Sequence, residues 1–167
     1  MKPSICFVML NPSTADATLD DPTIRRCIAF AQRELGDTGA PIIGKTAVIS
    51  ECSRYRYRLE REWENGRLVV TNLFAWRATK PVDLPRGPEG IGPENDGHIV
   101  EAVRESAITV VAWGSSWPSP SRVDLVLKLI RQNGRTPHAL GITKDLHPRH
   151  PLYIRSDQPL VAYEHFQ

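Results

Sequence analysis

The apolar positions of the chain fall into short continuous runs separated by segments of helical spacing. Residues 5–10, Ile-Cys-Phe-Val-Met-Leu, are apolar throughout and end in the polar Asn11-Pro12-Ser13-Thr14 loop, the pattern of a strand covered on both faces. Asp21 before Pro22 then opens a helix, with Ile24, Cys27, Ile28, Ala31 and Leu35 recurring at helical spacing. Between Gly36 and Gly66 the period changes to two: Ala47, Val48 and Ile49 form one short strand, and Tyr55, Tyr57 and Leu59 alternate with Arg54, Arg56 and Arg58 in another. Asn65-Gly66 is a favoured two-residue hairpin turn, so the ribbon over residues 45–63 is expected to fold back beside the run 68–74.

Two further helices are predicted. One spans about residues 94–105, after a Pro- and Gly-rich loop over 83–93, and presents Ile99, Ala102 and Val103. The other carries Val123, Val126, Leu127 and Ile130 and stops at Asn133-Gly134. Apolar runs at 108–113 and 137–142 supply two more strands. Strands alternating with helices require right-handed crossovers. The expected fold class is therefore α/β: one domain over residues 1–167, a three-layer α/β/α sandwich with a four-stranded parallel core (5–10, 68–74, 108–113 and 137–142) and an added antiparallel ribbon.

Composition narrows the function without choosing it. The 167 residues suit one domain, and no apolar run approaches the ~20 residues of a membrane span. The amino terminus enters a strand-like run without signal-peptide features, which predicts a cytoplasmic protein. Cys6, Cys27 and Cys52 lack metal-ligand or disulfide spacing and are expected to be buried thiols. A formal net charge of +2 does not by itself point to nucleic acid. Neither a P-loop nor a GxGxxG motif is present.

In an open parallel sheet, loops at the carboxyl ends of strands converge on one crevice. Those loops hold Asn11, Pro12, Ser13 and Asp16; Asn72 with Phe74 and Arg77; Gly114 after Trp113; and Arg149-His150. Asn11 also reads as a simple turn residue, Asp21 as an N-cap, and Asp16 and Asp20 as solvated loop carboxylates. Asn72 within an apolar strand must either find partners or face a ligand. Arg25, Arg26, Arg77 and Arg149 are candidates for phosphate contact, and Arg54, Arg56 and Arg58 read equally as one solvated or ion-paired strand face.

The segments Met9-Leu10-Asn11-Pro12-Ser13-Thr14-Ala15-Asp16, Asp20-Asp21-Pro22-Thr23-Ile24-Arg25-Arg26-Cys27, Thr71-Asn72-Leu73-Phe74-Ala75 and Pro148-Arg149-His150-Pro151-Leu152-Tyr153 resemble a bacterial and phage family of domains of unknown function. The resemblance spans most of the chain. In that family a segment like residues 53–59 usually precedes the Asn-Pro-Ser strand, whereas here it follows the first helix. The family is in turn similar to a distant branch of the uracil-DNA glycosylase superfamily, whose signature loops read like Gly-Ile-Asn-Pro-Gly and begin with His-Pro.

That resemblance implies catalytic roles for Asn11, which would hold water against the anomeric carbon, and for His150, which would stabilise charge on the departing base. Asn72 would read the base edge, with Pro12, Ser13, Asp16, Phe74, Arg77, Gly114 and Arg149 lining the substrate site. Arg25 and Arg26 would meet nucleic-acid phosphates, and Phe30 or Phe74 would stack on a flipped base. No metal or cofactor is implied. The expected partner is DNA or a nucleotide-like ligand; a catalytically silent binding module and an enzyme of free nucleosides or nucleotides are the alternatives.

Overall fold

The structure, a computed structural model, describes residues 2–14, 21–36, 45–115 and 119–164. It is mixed α/β. The strands are β1 (Ser4–Met9), β2 (Lys45–Glu51), β3 (Tyr55–Trp63), β4 (Gly66–Asn72), β5 (Ile108–Val111), β6 (Pro137–Ala139) and β7 (Val161–Ala162). The helices are α1 (Pro22–Glu34), the short α2 (Pro88–Ile91), α3 (Asn95–Glu105) and α4 (Pro120–Gln132), with 3-10 turns at Pro81–Asp83 and Pro151–Tyr153. None of these helices is long and apolar enough to cross a membrane.

One seven-stranded sheet runs in the order β2-β3-β4-β1-β5-β6-β7. β1 pairs parallel with β4 and β5, and β5 pairs parallel with β6; β2–β3, β3–β4 and β6–β7 are antiparallel. All six residues of β1 are buried. Its side chains alternate between two apolar clusters, which accounts for the unbroken apolar run. Ile5, Phe7 and Met9 join Leu68, Val70, Cys27, Phe30 and Ala31 of α1. Cys6 and Val8 join Val69, Leu73, Ile99 and Val103 of α3, and Val126 and Ile130 of α4.

Several details differ from the sequence expectation. The hairpin loop is Glu64-Asn65, and Gly66 already pairs with Trp63. A Cβ on Gly66 would come within 2.8 Å of both the Trp63 indole and Leu35, so this glycine admits close packing as a strand residue. β5 and β6 are shorter than the apolar runs that announce them: Ala112, Trp113 and Leu140 lie beyond the assigned strands yet stay buried, and Ile142 is half-buried. β7, which closes the far edge, is a two-residue strand in the short apolar run Leu160-Val161-Ala162-Tyr163 that the sequence reading did not assign, and both of its residues are exposed. Cys52 is exposed, in a tight turn where its φ is 53°; Cys6 and Cys27 are the buried thiols.

The ribbon holds the most consequential departure. The β2–β3 register shifts between Ile49 and Ser50, where Ile49 faces Arg58 and Ser50 faces Arg56, so Tyr57 is one residue in excess. Such a bulge re-aims side chains on either side of it. Arg54, Arg56 and Arg58 therefore do not share one face. Arg58 is 3% exposed within a carboxylate cluster of Glu60, Glu101 and Glu105. Tyr57 stacks on His98 of α3, Arg54 lies over the Trp76 ring, and Arg56 lines a cavity beside Leu59.

Candidate functional site

A cavity of about 630 Å³ opens where the carboxyl ends of β1, β4 and β5 meet the N-terminus of α1 and the loop after β6. Its volume is in the range typical of small-molecule sites. Asn11, Pro12, Ser13, Asn72, Gly114, Arg149 and His150 all line it. Met9, Leu59, Val70 and Ile24 give it apolar walls.

Asn11 follows β1 and has a defined orientation. Its Nδ2 donates to Pro12 O at 3.1 Å and Ala78 O at 2.8 Å. Carbonyls only accept, so the amide nitrogen must occupy that side. Oδ1 is thereby the acceptor end of the side chain. The loop itself is tied to the chain beyond β4 through Ala78 N to Pro12 O and Phe74 N to Leu10 O.

Asn72, the last residue of β4, is only 5% exposed. Among the described residues its side-chain amide has no hydrogen-bond partner, and it borders the cavity. Neither amide atom is among the fully buried unpaired atoms, so the group opens on the cavity, where a ligand edge presenting a donor and an acceptor would match it.

His150 sits at the start of the 3-10 turn Pro151–Tyr153, where its Nδ1 accepts from Leu152 N at 3.3 Å. That bond assigns the proton of the neutral ring to Nε2. Burial pushes the His150 pKa below its ordinary value, against an opposing pull from Asp21, so the neutral donor form persists at physiological pH. Gly114 N donates to Pro148 O at 3.0 Å, and a Cβ on Gly114, whose φ is +75°, would stand 3.4 Å from His150 Cβ. The glycine thus supplies the left-handed turn that a side chain would strain, while an added Cβ would meet His150 at ordinary contact distance.

The arginines divide. Arg149 is exposed at the cavity, its Nε donating to Ile142 O. Arg77 lies outside the lining: its guanidinium braces the carbonyls of Ser13, Thr14 and Ser53. Arg26 braces Pro151 O and Ile154 O of the histidine loop and packs over Phe30. These two expected ligand contacts are instead struts holding the Asn11 and His150 loops. Arg25 is exposed on α1 and does not line the cavity.

Neither phenylalanine stacks in the cavity. Phe74 is 5% exposed in the cluster under α3 and α4, because the chain past Asn72 carries Leu73 and Phe74 into that core. Phe30 is buried in the α1 cluster beneath Arg26 and Arg33. The aromatic groups that do border the cavity are Trp113 and, at 79% exposure, Tyr153, whose ring lies 5.6 Å from that of His150. Asp16 lies outside the described residues.

Sequence reasoning also passed over Arg56 and Asp21 as cavity residues. Arg56 had no signal, since only the bulge separates it from Arg58. Asp21 was legible as a cap, and its Oδ1 does accept from Thr23 N at 2.7 Å and Ile24 N at 3.4 Å. Oδ2 faces Ser13 Oγ at 3.5 Å on the cavity side. Among the described lining residues it is the carboxylate. No group of three or more His, Cys, Asp or Glu able to hold a metal ion occurs among the described residues.

Neither the curated proteins nor the solved structures include a match to this chain. A family described as "Protein of unknown function (DUF1643)" matches it in two segments, residues 1–51 and 49–152. The segments overlap within β2 and between them contain Asn11, Asn72 and His150, and only the C-terminal part of the chain, with β7, falls outside. With nearly the whole domain matched, cavity loops included, the chain belongs to the DUF1643 family.

Proposed function

We propose that this protein hydrolyses the N-glycosidic bond of a damaged or modified base in DNA, the base being flipped into the cavity bordered by Asn11, Asn72 and His150. The observation that carries the reading is the Asn72 amide, 5% exposed, without a partner among the described residues, at a cavity that Asn11 and His150 also line. In keeping with the resemblance to uracil-DNA glycosylases, the domain reads as a three-layer α/β/α sandwich whose parallel strands β4, β1, β5 and β6 deliver these loops to one edge.

The chemistry follows from charge. Breaking the bond sends its electron pair to the base and leaves positive charge on the sugar. A water held by Asn11 Oδ1 adds to the anomeric carbon and releases a proton, which the Asp21 carboxylate accepts. Asp21 also faces the sugar cation. At the other end the His150 Nε2–H donates to the oxygen of the departing base anion, which takes its proton from solvent. Neutral imidazole suits this role, since burial disfavours its charged form. Asn72 matches the donor and acceptor of one base edge.

A second reading, hydrolysis of free nucleosides or nucleotides, draws support from Arg26 and Arg77, whose guanidiniums are committed to loop carbonyls. One assay separates the two. Single- and double-stranded oligonucleotides carrying different modified bases, and the corresponding nucleosides, are incubated with the protein and free base is detected by chromatography. Release from at least one oligonucleotide, abolished by Asn11→Ala, is the expected result. Release from nucleosides alone selects the second reading, and release from nothing removes both.

A further inference from the structure

The main chain beneath Asn72 is held by two buried polar side chains from the helices on the Leu73 side of the sheet. Asn95, the first residue of α3 and 0% exposed, donates Nδ2 to Asn72 O at 3.0 Å and to Leu73 O at 3.1 Å. Arg122 of α4, 3% exposed, donates Nε to the same Leu73 O at 2.7 Å. Its Nη1 lies 2.6 Å from Asp96 Oδ1, a close ion pair too bent for a hydrogen bond.

This arrangement is expensive for a core position. Among the described residues Asn95 Oδ1 is buried without a partner, and a buried guanidinium is commonly replaceable by apolar side chains without loss of stability. One donor per carbonyl would suffice to satisfy the strand end, yet Leu73 O receives two, from different helices. Contacts from two directions fix a peptide in position as well as satisfying it. The doubly held carbonyl is that of Leu73, and the Asn72 carbonyl before it is held by Asn95 as well, so the two successive peptides that follow the Asn72 Cα are both tied to the helices.

We infer that Asn95 and Arg122 are positioning residues that set the direction of the Asn72 amide and, through it, which base the cavity accepts. The inference rests on the base-reading role proposed for Asn72. It predicts that loosening the clamp changes discrimination between bases, not merely the amount of folded protein, because a small misplacement of a recognition group costs far more than the contact that held it.

The test uses the full chain with Asn95→Leu, and Arg122→Met as a second variant should the first not fold. Without any ligand, 15N relaxation of the Asn72 side-chain amide is compared with that of the backbone amides of β1 and β5. The expected result is that Asn72 gains mobility in the variants while β1 and β5 keep theirs. In the base-release assay, the ratio of rates for the best and second-best bases falls by about tenfold, and combining Asn95→Leu with Asn72→Ala causes no further fall. An unchanged Asn72 amide, loosening spread evenly over the sheet, or equal loss on both bases overturns the inference. If the wild type releases no base, the glycosylase reading falls, and the relaxation measurement alone decides whether the clamp positions Asn72.

Discussion

His150 shows how much chemistry one local contact can decide. Its Nδ1 accepts from Leu152 N, so the neutral ring presents Nε2–H as a donor, and burial lowers its pKa. The sign of the resulting pH dependence follows. Above the ordinary histidine value both folded and unfolded forms are neutral; as pH falls, the unfolded chain takes up the proton first, so folding loses stability until the lowered pKa of the folded form is passed. Base release should be level through neutral pH and decline only below the ordinary histidine range. His150→Ala should lower the rate by about 10²–10³-fold and remove that acid limb from the pH–rate profile, whereas an acid limb unchanged in the variant would assign the titration to another group.

At the scale of elements, α1 joins the fold to the cavity through its cap. Asp21 closes the helix N-terminus with Oδ1 and turns Oδ2 toward Ser13 and the cavity. Asparagine caps about as well as aspartate, so substitution can separate the two roles. Asp21→Ala should cost about 1 kcal/mol in urea denaturation. Asp21→Asn should leave the midpoint nearly unchanged while base release falls under the proposed mechanism, since only the charge facing the cavity is lost. Equal activity of the Asn variant and the wild type would confine Asp21 to capping. The β3 bulge is a second such element: one excess residue sends Arg56 to the cavity and leaves Tyr57 and Arg58 to meet α3. Period-two alternation in the sequence cannot announce it, because an inserted residue inverts the faces beyond it.

Across the whole molecule, the ribbon and α3 are joined by charge. Arg58, 3% exposed, pairs with Glu60, Glu101 and Glu105, and Arg67 bridges Glu60 and Glu105. Burial pushes the Glu105 carboxyl up, but the hydrogen bond and charge of Arg58, joined by Arg67, outweigh it and hold the pKa below the usual carboxylate value. This contribution is present above that value and is lost as pH falls through the depressed one. Arg58→Met should destabilise the fold by about 1–3 kcal/mol, because Glu60 and Glu105 lose their buried partner and keep only Arg67. It should also weaken the acid dependence of the denaturation midpoint. A midpoint unmoved at neutral pH would show the cluster to be dispensable.

What the sequence alone determined is local: the apolar runs that become β1 and β4, the Asp21 cap of α1, the helical stripes of α3 and α4, and the cavity loops after the strands. Each is encoded within a few neighbouring residues, through periodicity or a single cap, so each could be read without knowledge of the rest. Asn11, Gly114, Arg149 and His150 were legible in the same way, as residues of loops beyond apolar runs, and Asn72 as a polar residue inside one. Only the tertiary structure decided what those groups meet. It turned Arg26 and Arg77 into struts, sent Phe74 into the core, brought Arg56 and Asp21 to the cavity and placed Asn95 and Arg122 behind Asn72. The Arg26, Arg77, Asn95 and Arg122 contacts join residues separated by 22 to 128 positions. Burial and hydrogen-bond partnership across such distances are properties of the packed chain, and no local pattern carries them.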